Sequence, residues 1–134
     1  MTGRNTRLGG GGFHHVAMNV KDFDASLNFY TGGLGFTLAR QWKSESGRGA
    51  MLDTGDGNYL EIFEKNVPGS QGTIIHYALR TSDCRAAHAT ALEAGGREKQ
   101  GPTDITIPSQ PEFPATISFV YGPDGEEIEF FQER

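Results

Sequence analysis

Two stretches of this chain repeat one another, and that repeat constrains the fold more than any other feature. HVAMNVKD, starting at His15, aligns with HYALRTSD, starting at His76, at an offset of 61 residues. The same offset places Gly35 on Gly96. Further on, LEIFE (residues 60–64) aligns with IEFFQ (residues 128–132) at an offset of 68. The extra seven residues of the second copy fall in a loop carrying Pro102, Pro108, Pro111 and Pro114. Two matched strands with a helix between them specify a duplicated unit.

Local signals fill in each copy. FHHVAMNV alternates as a strand does, Asp22 stands where a helix N-cap belongs, and Phe23, Leu27 and Tyr30 recur at helical spacing up to Gly32-Gly33. Three strands are expected next, over Phe36–Lys43, Gly49–Asp53 and Asn58–Glu64. The second copy repeats the order: TIIHYALRT as a strand, Asp83 as N-cap, and a helix over Ala86–Ala94 ended by Gly95-Gly96. Strands near Arg97–Lys99 with an extension to Ile107, Thr116–Tyr121 and Glu126–Gln132 complete it, and GPDGEE (Gly122–Glu127) reads as a hairpin turn. Each copy is a βαβββ module, spanning about residues 13–66 and 73–134. Residues 1–12, polar and rich in glycine, are expected to be a disordered leader.

The repeat makes a sharp statement about four side chains. His15 and His76 hold the same place in the two first strands, and Glu61 and Glu129 the same place in the two last strands. Side chains alternate across a strand, so His15, Ala17 and Asn19 share one face while Val16, Met18 and Val20 share the other. Each helix needs an apolar bed, which assigns Val16/Met18, Tyr77/Leu79, Leu60/Ile62 and Ile128/Phe130 to the helix side. Both His and both Glu then fall on the opposite face. Two imidazoles and two carboxylates suit a divalent cation. A lone strand His or Glu is usually solvated or structural, as Glu64, Glu126, Glu127 and Glu133 are expected to be; the matched placement of four sets these apart. His14 points away from His15 and has no counterpart, His88 reads as a structural or surface residue of the second helix, and Cys84 reads as a packed thiol.

Composition excludes several classes. A net charge of −5 disfavours general nucleic-acid binding. One cysteine cannot form an intrachain disulfide, and no apolar run reaches membrane-spanning length. No serine-nucleophile elbow is present, and glycines 9–12 lack the context of a phosphate loop. A cytoplasmic protein acting on a small molecule, with no nucleic-acid or membrane partner, is the expectation.

FHHVAMNVKDFDASLNFYTGGLGF, IIHYALRTSD and YGPDGEEIEFFQE together resemble the glyoxalase/bleomycin-resistance family, also called the vicinal oxygen chelate superfamily. The resemblance implies an α+β glyoxalase-like fold in which tandem βαβββ modules form a cupped, open barrel-like mixed sheet around a metal. It implies His15, Glu61, His76 and Glu129 as ligands of nickel, cobalt, manganese or zinc. With Glu rather than Gln at the second ligand position, the set is similar to that of glyoxalase I, a lactoylglutathione lyase. Proton transfer next to a carbonyl through a metal-stabilised enediolate is then implied, with Glu129 or Glu61 as the base. An epimerase or isomerase of another small substrate is the alternative, and a drug-binding protein without catalysis a further one, for which Trp42, Phe63, Phe131 and Tyr121 would line the pocket. Compact relatives imply a homodimer whose sites take His15 and Glu61 from one chain and His76 and Glu129 from the other. Where glutathione-using members carry Arg and Asn, this chain has Asn19 and Lys65. Arg80 holds the matching place in the second module, so Asn19, Lys65, Arg80, Phe63 and Phe131 are the expected substrate contacts, with weak use of the methylglyoxal–glutathione adduct.

Overall fold

The computed structural model describes residues 4–65, 69, 72–123 and 125–134. Its elements run β1 (Gly10–Val20), α1 (Phe23–Asn28), a π-helical turn (Phe29–Gly33), β2 (Thr37–Ser44), β3 (Gly47–Asp53), β4 (Tyr59–Glu64), β5 (Ile74–Thr81), α2 (Cys84–Glu93), β6 (Arg97–Ile107), β7 (Phe113–Tyr121) and β8 (Glu127–Glu133). Contacts divide the chain into two units. The N-terminal module comprises His15–Ile75 and Pro108–Pro111; the C-terminal module comprises His76–Ile107 and Glu112–Arg134 together with the residues up to His14.

The N-terminal module orders its strands β2-β3-β4-β1, with β1 parallel to β4 and the other pairs antiparallel. Asp22 caps α1 by accepting the Ala25 N–H at 3.0 Å. The helix-side core is Val20, Phe23, Ala50, Leu52 and Ile62, with Met18, Leu27, Tyr30, Phe36 and Leu60 packed against it. This is the face the alternation assigns to the helix. The Arg48 guanidinium ties β3 to β4 and α1: it donates to Glu64 Oε2 and Asp24 Oδ1, each at 2.9 Å, and lies over the Phe23 ring.

The C-terminal module repeats the plan as β6-β7-β8-β5, with β5 parallel to β8. Asp83 caps α2 through the Ala86 N–H. Cys84, Ala87, Val120 and Phe130 form its helix-side core, joined by Leu8, Leu79, Ala91 and Ile128. Cys84 is the packed thiol expected. Its Sγ lies 3.4 Å from Ser118 Oγ, and burial pushes its pKa up. The turn after β7 closes through the Gly125 N–H to the Gly122 carbonyl at 3.0 Å, with Asp124 outside the described residues.

Three features differ from the sequence reading. Helix α1 runs only to Asn28 and hands over to the π-helical turn, where the reading has one helix up to Gly32. Pro102 and Pro114 lie inside β6 and β7 rather than in a loop, and β6 absorbs Pro102 through register shifts between Glu98 and Thr103. The glycine-rich leader is placed rather than loose: β1 starts at Gly10, three residues before the expected Phe13. Leu8 joins the core, its carbonyl accepts from the Thr81 hydroxyl, and the Ser82 N–H donates to the Gly9 carbonyl at 3.1 Å. Gly9 has a φ of +73°, where a side chain would be strained and would also meet Ser82. Residues 1–3 of the leader and Asn66, at the expected module edge, lie outside the described residues. Among the described residues no helix is long and apolar enough to cross a membrane.

Candidate metal centre

Each module builds the same small constellation. In the N-terminal module the parallel pairing sets Ala17 opposite Glu61, with His15 two residues before the alanine on the same face. In the C-terminal module Ala78 stands opposite Glu129, with His76 two residues before it. Both alanines are fully buried. Their small side chains leave the carboxylates room, so each His reaches its Glu along the diagonal of a parallel pair. His15 Nε2 lies 3.4 Å from Glu61 Oε1. His76 Nε2 lies 3.0 Å from Glu129 Oε2.

Those two distances are a test of fit for a metal. Ligand atoms bound at about 2.1 Å to one ion are separated by roughly 2.9–3.4 Å in tetrahedral or octahedral geometry. Both pairs fall at that spacing. The carboxylates are also nearly dry, Glu61 at 5% and Glu129 at 4% exposure. Burying an anion is costly unless a cation or donor meets it. A neutral imidazole nitrogen beside a buried carboxylate oxygen is a donor pair that a divalent ion satisfies.

The rest of each face differs. In the N-terminal module a row across the strands reads Asn19, Phe63, Gly49 and Trp42. Asn19 is 8% exposed, and Phe63 meets Trp42 edge to face at 5.9 Å. In the C-terminal module the corresponding row is Arg80, Phe131, Ile117 and Thr103. There Arg80 is ion-paired with Glu133, and Phe131 carries His14 stacked on it at 4.1 Å. Arg80, an expected substrate contact, is thus engaged by a carboxylate of its own module. Lys65 is exposed at the end of its strand.

His14 and Glu133 were not part of the expected site. The alternation of β1 turns His14 away from His15, as read from the sequence. The structure nonetheless buries His14 completely on the Glu129 side of the C-terminal module, 3.8 Å from Glu133. Two adjacent histidines in one strand were the available signal. His88, expected to be structural or superficial, is buried with Nε2 2.7 Å from Glu98 Oε1.

A family model described as Glyoxalase/Bleomycin resistance protein/Dioxygenase superfamily matches residues 12–130. The protein YwbC of Bacillus subtilis (strain 168) is 32% identical over 125 residues, covering 88% of this chain and 94% of that protein. Among solved structures, methylmalonyl-CoA epimerase from Mycobacterium tuberculosis superposes with a TM-score of 0.73 at 22% identity, covering 92% of this chain and 88% of that one. A Streptomyces coelicolor methylmalonyl-CoA epimerase variant in complex with 2-nitronate-propionyl-CoA gives 0.68 at 25% identity, covering 90% and 95%. The α+β glyoxalase-like fold is therefore established.

Proposed function

Because the chain belongs to the glyoxalase/bleomycin resistance protein/dioxygenase superfamily, we propose that it is a divalent-metal-dependent epimerase or isomerase moving a proton at a carbon next to a carbonyl. The observation that carries this is the His–Glu pair at matched register in both modules, each on a buried glutamate, at 3.4 and 3.0 Å. His15, Glu61, His76 and Glu129 together form the donor set for one ion, with nickel, cobalt, manganese or zinc as candidates. Likeness to epimerases that take acyl-CoA ligands supports this choice over the lactoylglutathione lyase suggested by the sequence. One observation favours the lyase as the second reading, the carboxylate of Glu61 at the second ligand position.

When bound, the ion would polarise the substrate carbonyl and offset the charge that develops as the proton leaves. The chain's own residues do the rest. A carboxylate oxygen of Glu129 takes the proton: the C–H bond breaks, an O–H bond forms, and the electron pair moves toward the carbonyl. Returned to the neighbouring carbon, that proton completes an isomerisation. For an epimerisation a second group must deliver a proton to the opposite face, and Glu61, the repeat-matched carboxylate, is suited to it. The buried setting keeps competing water from the carboxylates. The single buried thiol fits a reducing, cytoplasmic setting.

Solvent-deuterium exchange is the test. The metal-loaded protein is incubated in heavy water with methylmalonyl-CoA, the methylglyoxal–glutathione adduct and small 2-hydroxy acids, and α-deuterium is followed by NMR. Incorporation into one of them, abolished by Glu129→Gln, is the expected result. No exchange in any, from protein of full metal content, contradicts the proposal. Pairs drawn from one chain, or from two chains of a homodimer, give the same donor set. Mixing His15→Ala with Glu129→Gln separates them: recovered exchange after subunit exchange means shared sites, and none means sites within one chain.

A further inference from the structure

We propose that Trp42 and Phe63, seated on Gly49, form an aromatic platform that selects substrates carrying a planar apolar group, with an aryl 2-hydroxy acid as the ligand class. The platform lies wholly in the N-terminal module. The β3–β4 register sets Gly49 opposite Phe63, and the β2–β3 register sets Trp42 opposite Gly49. Gly49 has an ordinary backbone conformation, so its value is the missing side chain. A Cβ there would lie 2.5 Å from Trp42 Nε1 and closer still to the indole carbons. The indole therefore occupies the space a side chain would take at the glycine and meets the Phe63 ring edge to face at 5.9 Å.

This platform is on the same face as the His15–Glu61 pair. Phe63 follows Glu61 by two residues, about 7 Å along the strand. That matches a substrate whose reacting carbon sits at the carboxylate and whose ring extends one group further. Both aromatic side chains are half-buried, so part of their surface is open to a ligand. A second observation points to a ligand here. Asn19 stands opposite Phe63 in the same row, and its buried Oδ1 has no hydrogen-bond partner among the described residues. A buried acceptor is expensive to leave unmet, and a ligand hydroxyl would meet it.

The proposal rests on the proton-transfer reading in placing the carbonyl end of the substrate at His15 and Glu61, but its test does not require turnover. Trp42 is the chain's single tryptophan, so intrinsic fluorescence reports from the platform itself. Mandelate and lactate share a carboxylate and a hydroxyl and differ by phenyl against methyl. Mandelate should quench or shift Trp42 emission saturably below about 10 mM, and lactate, read by competition, should bind at least about tenfold more weakly. Gly49→Ala, which pushes the indole off its seat, should cost mandelate about tenfold and leave lactate unchanged. Phe63→Leu keeps the reporter and the fold and should have the same selective effect, so it decides the matter if the alanine variant does not fold. Asn19→Ala should weaken both ligands equally. Equal affinity for mandelate and lactate, no saturable change with mandelate, or mandelate binding unaffected in Phe63→Leu would each overturn the platform. Metal content measured on the same samples separates the two ideas: metal without ring selectivity defeats the platform alone, and ring selectivity without metal defeats the metal-dependent reading alone.

Discussion

Beyond the His–Glu pair, the N-terminal module presents Asn19, Phe63, Gly49 and Trp42, whereas the C-terminal module presents Arg80, Phe131, Ile117 and Thr103. The C-terminal row is filled from within, since Glu133 pairs with Arg80 and His14 covers Phe131. The N-terminal row has a glycine where its counterpart has isoleucine, and an amide where its counterpart has a guanidinium. Duplication thus preserves the His–Glu geometry, with an alanine opposite each glutamate, and leaves the neighbouring row free to diverge. The proposed ligand selection belongs to the N-terminal row, whereas the C-terminal row is met by Glu133 and His14 of its own module.

The sharpest challenge to this comparison is to delete the pair from either side. His15→Ala and His76→Ala should each cost nearly all bound metal, because each removes a nitrogen donor from the proposed set of four. Retention of full metal in only one of them, measured by elemental analysis, would make the modules unequal in the role assigned as common. Next in size is the base. Glu129→Gln should lower α-proton exchange by roughly a hundredfold or more. An equal loss in Glu61→Gln would indicate two-base epimerisation, and a much smaller one would leave a single base.

Smaller effects probe what is particular to each module. In the N-terminal module Arg48 holds the Glu64 carboxyl below the usual glutamate range through its hydrogen bonds. A depressed carboxylate stabilises the fold above its unfolded pKa, and that contribution is lost as pH falls through the folded value. The melting temperature of the wild type should fall on acidification past the ordinary glutamate range, and Arg48→Met should flatten that part of the profile. In the C-terminal module, burial and the raised pKa of Cys84 predict a thiol inert to iodoacetamide at neutral pH until the protein is denatured. Rapid labelling of the native protein would show that the α2 core opens.

Much of this was legible in the sequence because it depends on short-range periodicity. The repeat located both His and both Glu, and the alternation of Val16, Met18, Val20 against His15, Ala17, Asn19 assigned their face. What escaped depends on register or on distant partners. Trp42 over Gly49 is visible only once β2 and β3 are paired. The Arg80–Glu133 ion pair joins residues 53 apart in sequence, so strand periodicity does not show it. The leader read as coil because glycine favours chain entropy, yet the packing of Leu8, a hydrogen bond from the Thr81 hydroxyl and one from the Ser82 N–H give residues 8 and 9 a place against Thr81 and Ser82. Pro102 and Pro114 signalled a loop, but bulges and strand ends admit proline.

The proposal that His15, Glu61, His76 and Glu129 act together on one divalent ion is open to metal titration of the chelator-stripped protein. Binding should saturate at one ion for each full set of two His and two Glu, with affinity lowered in all four single variants. Saturable binding that none of the four substitutions weakens, or no binding of nickel, cobalt, manganese or zinc by the folded wild type, would contradict it.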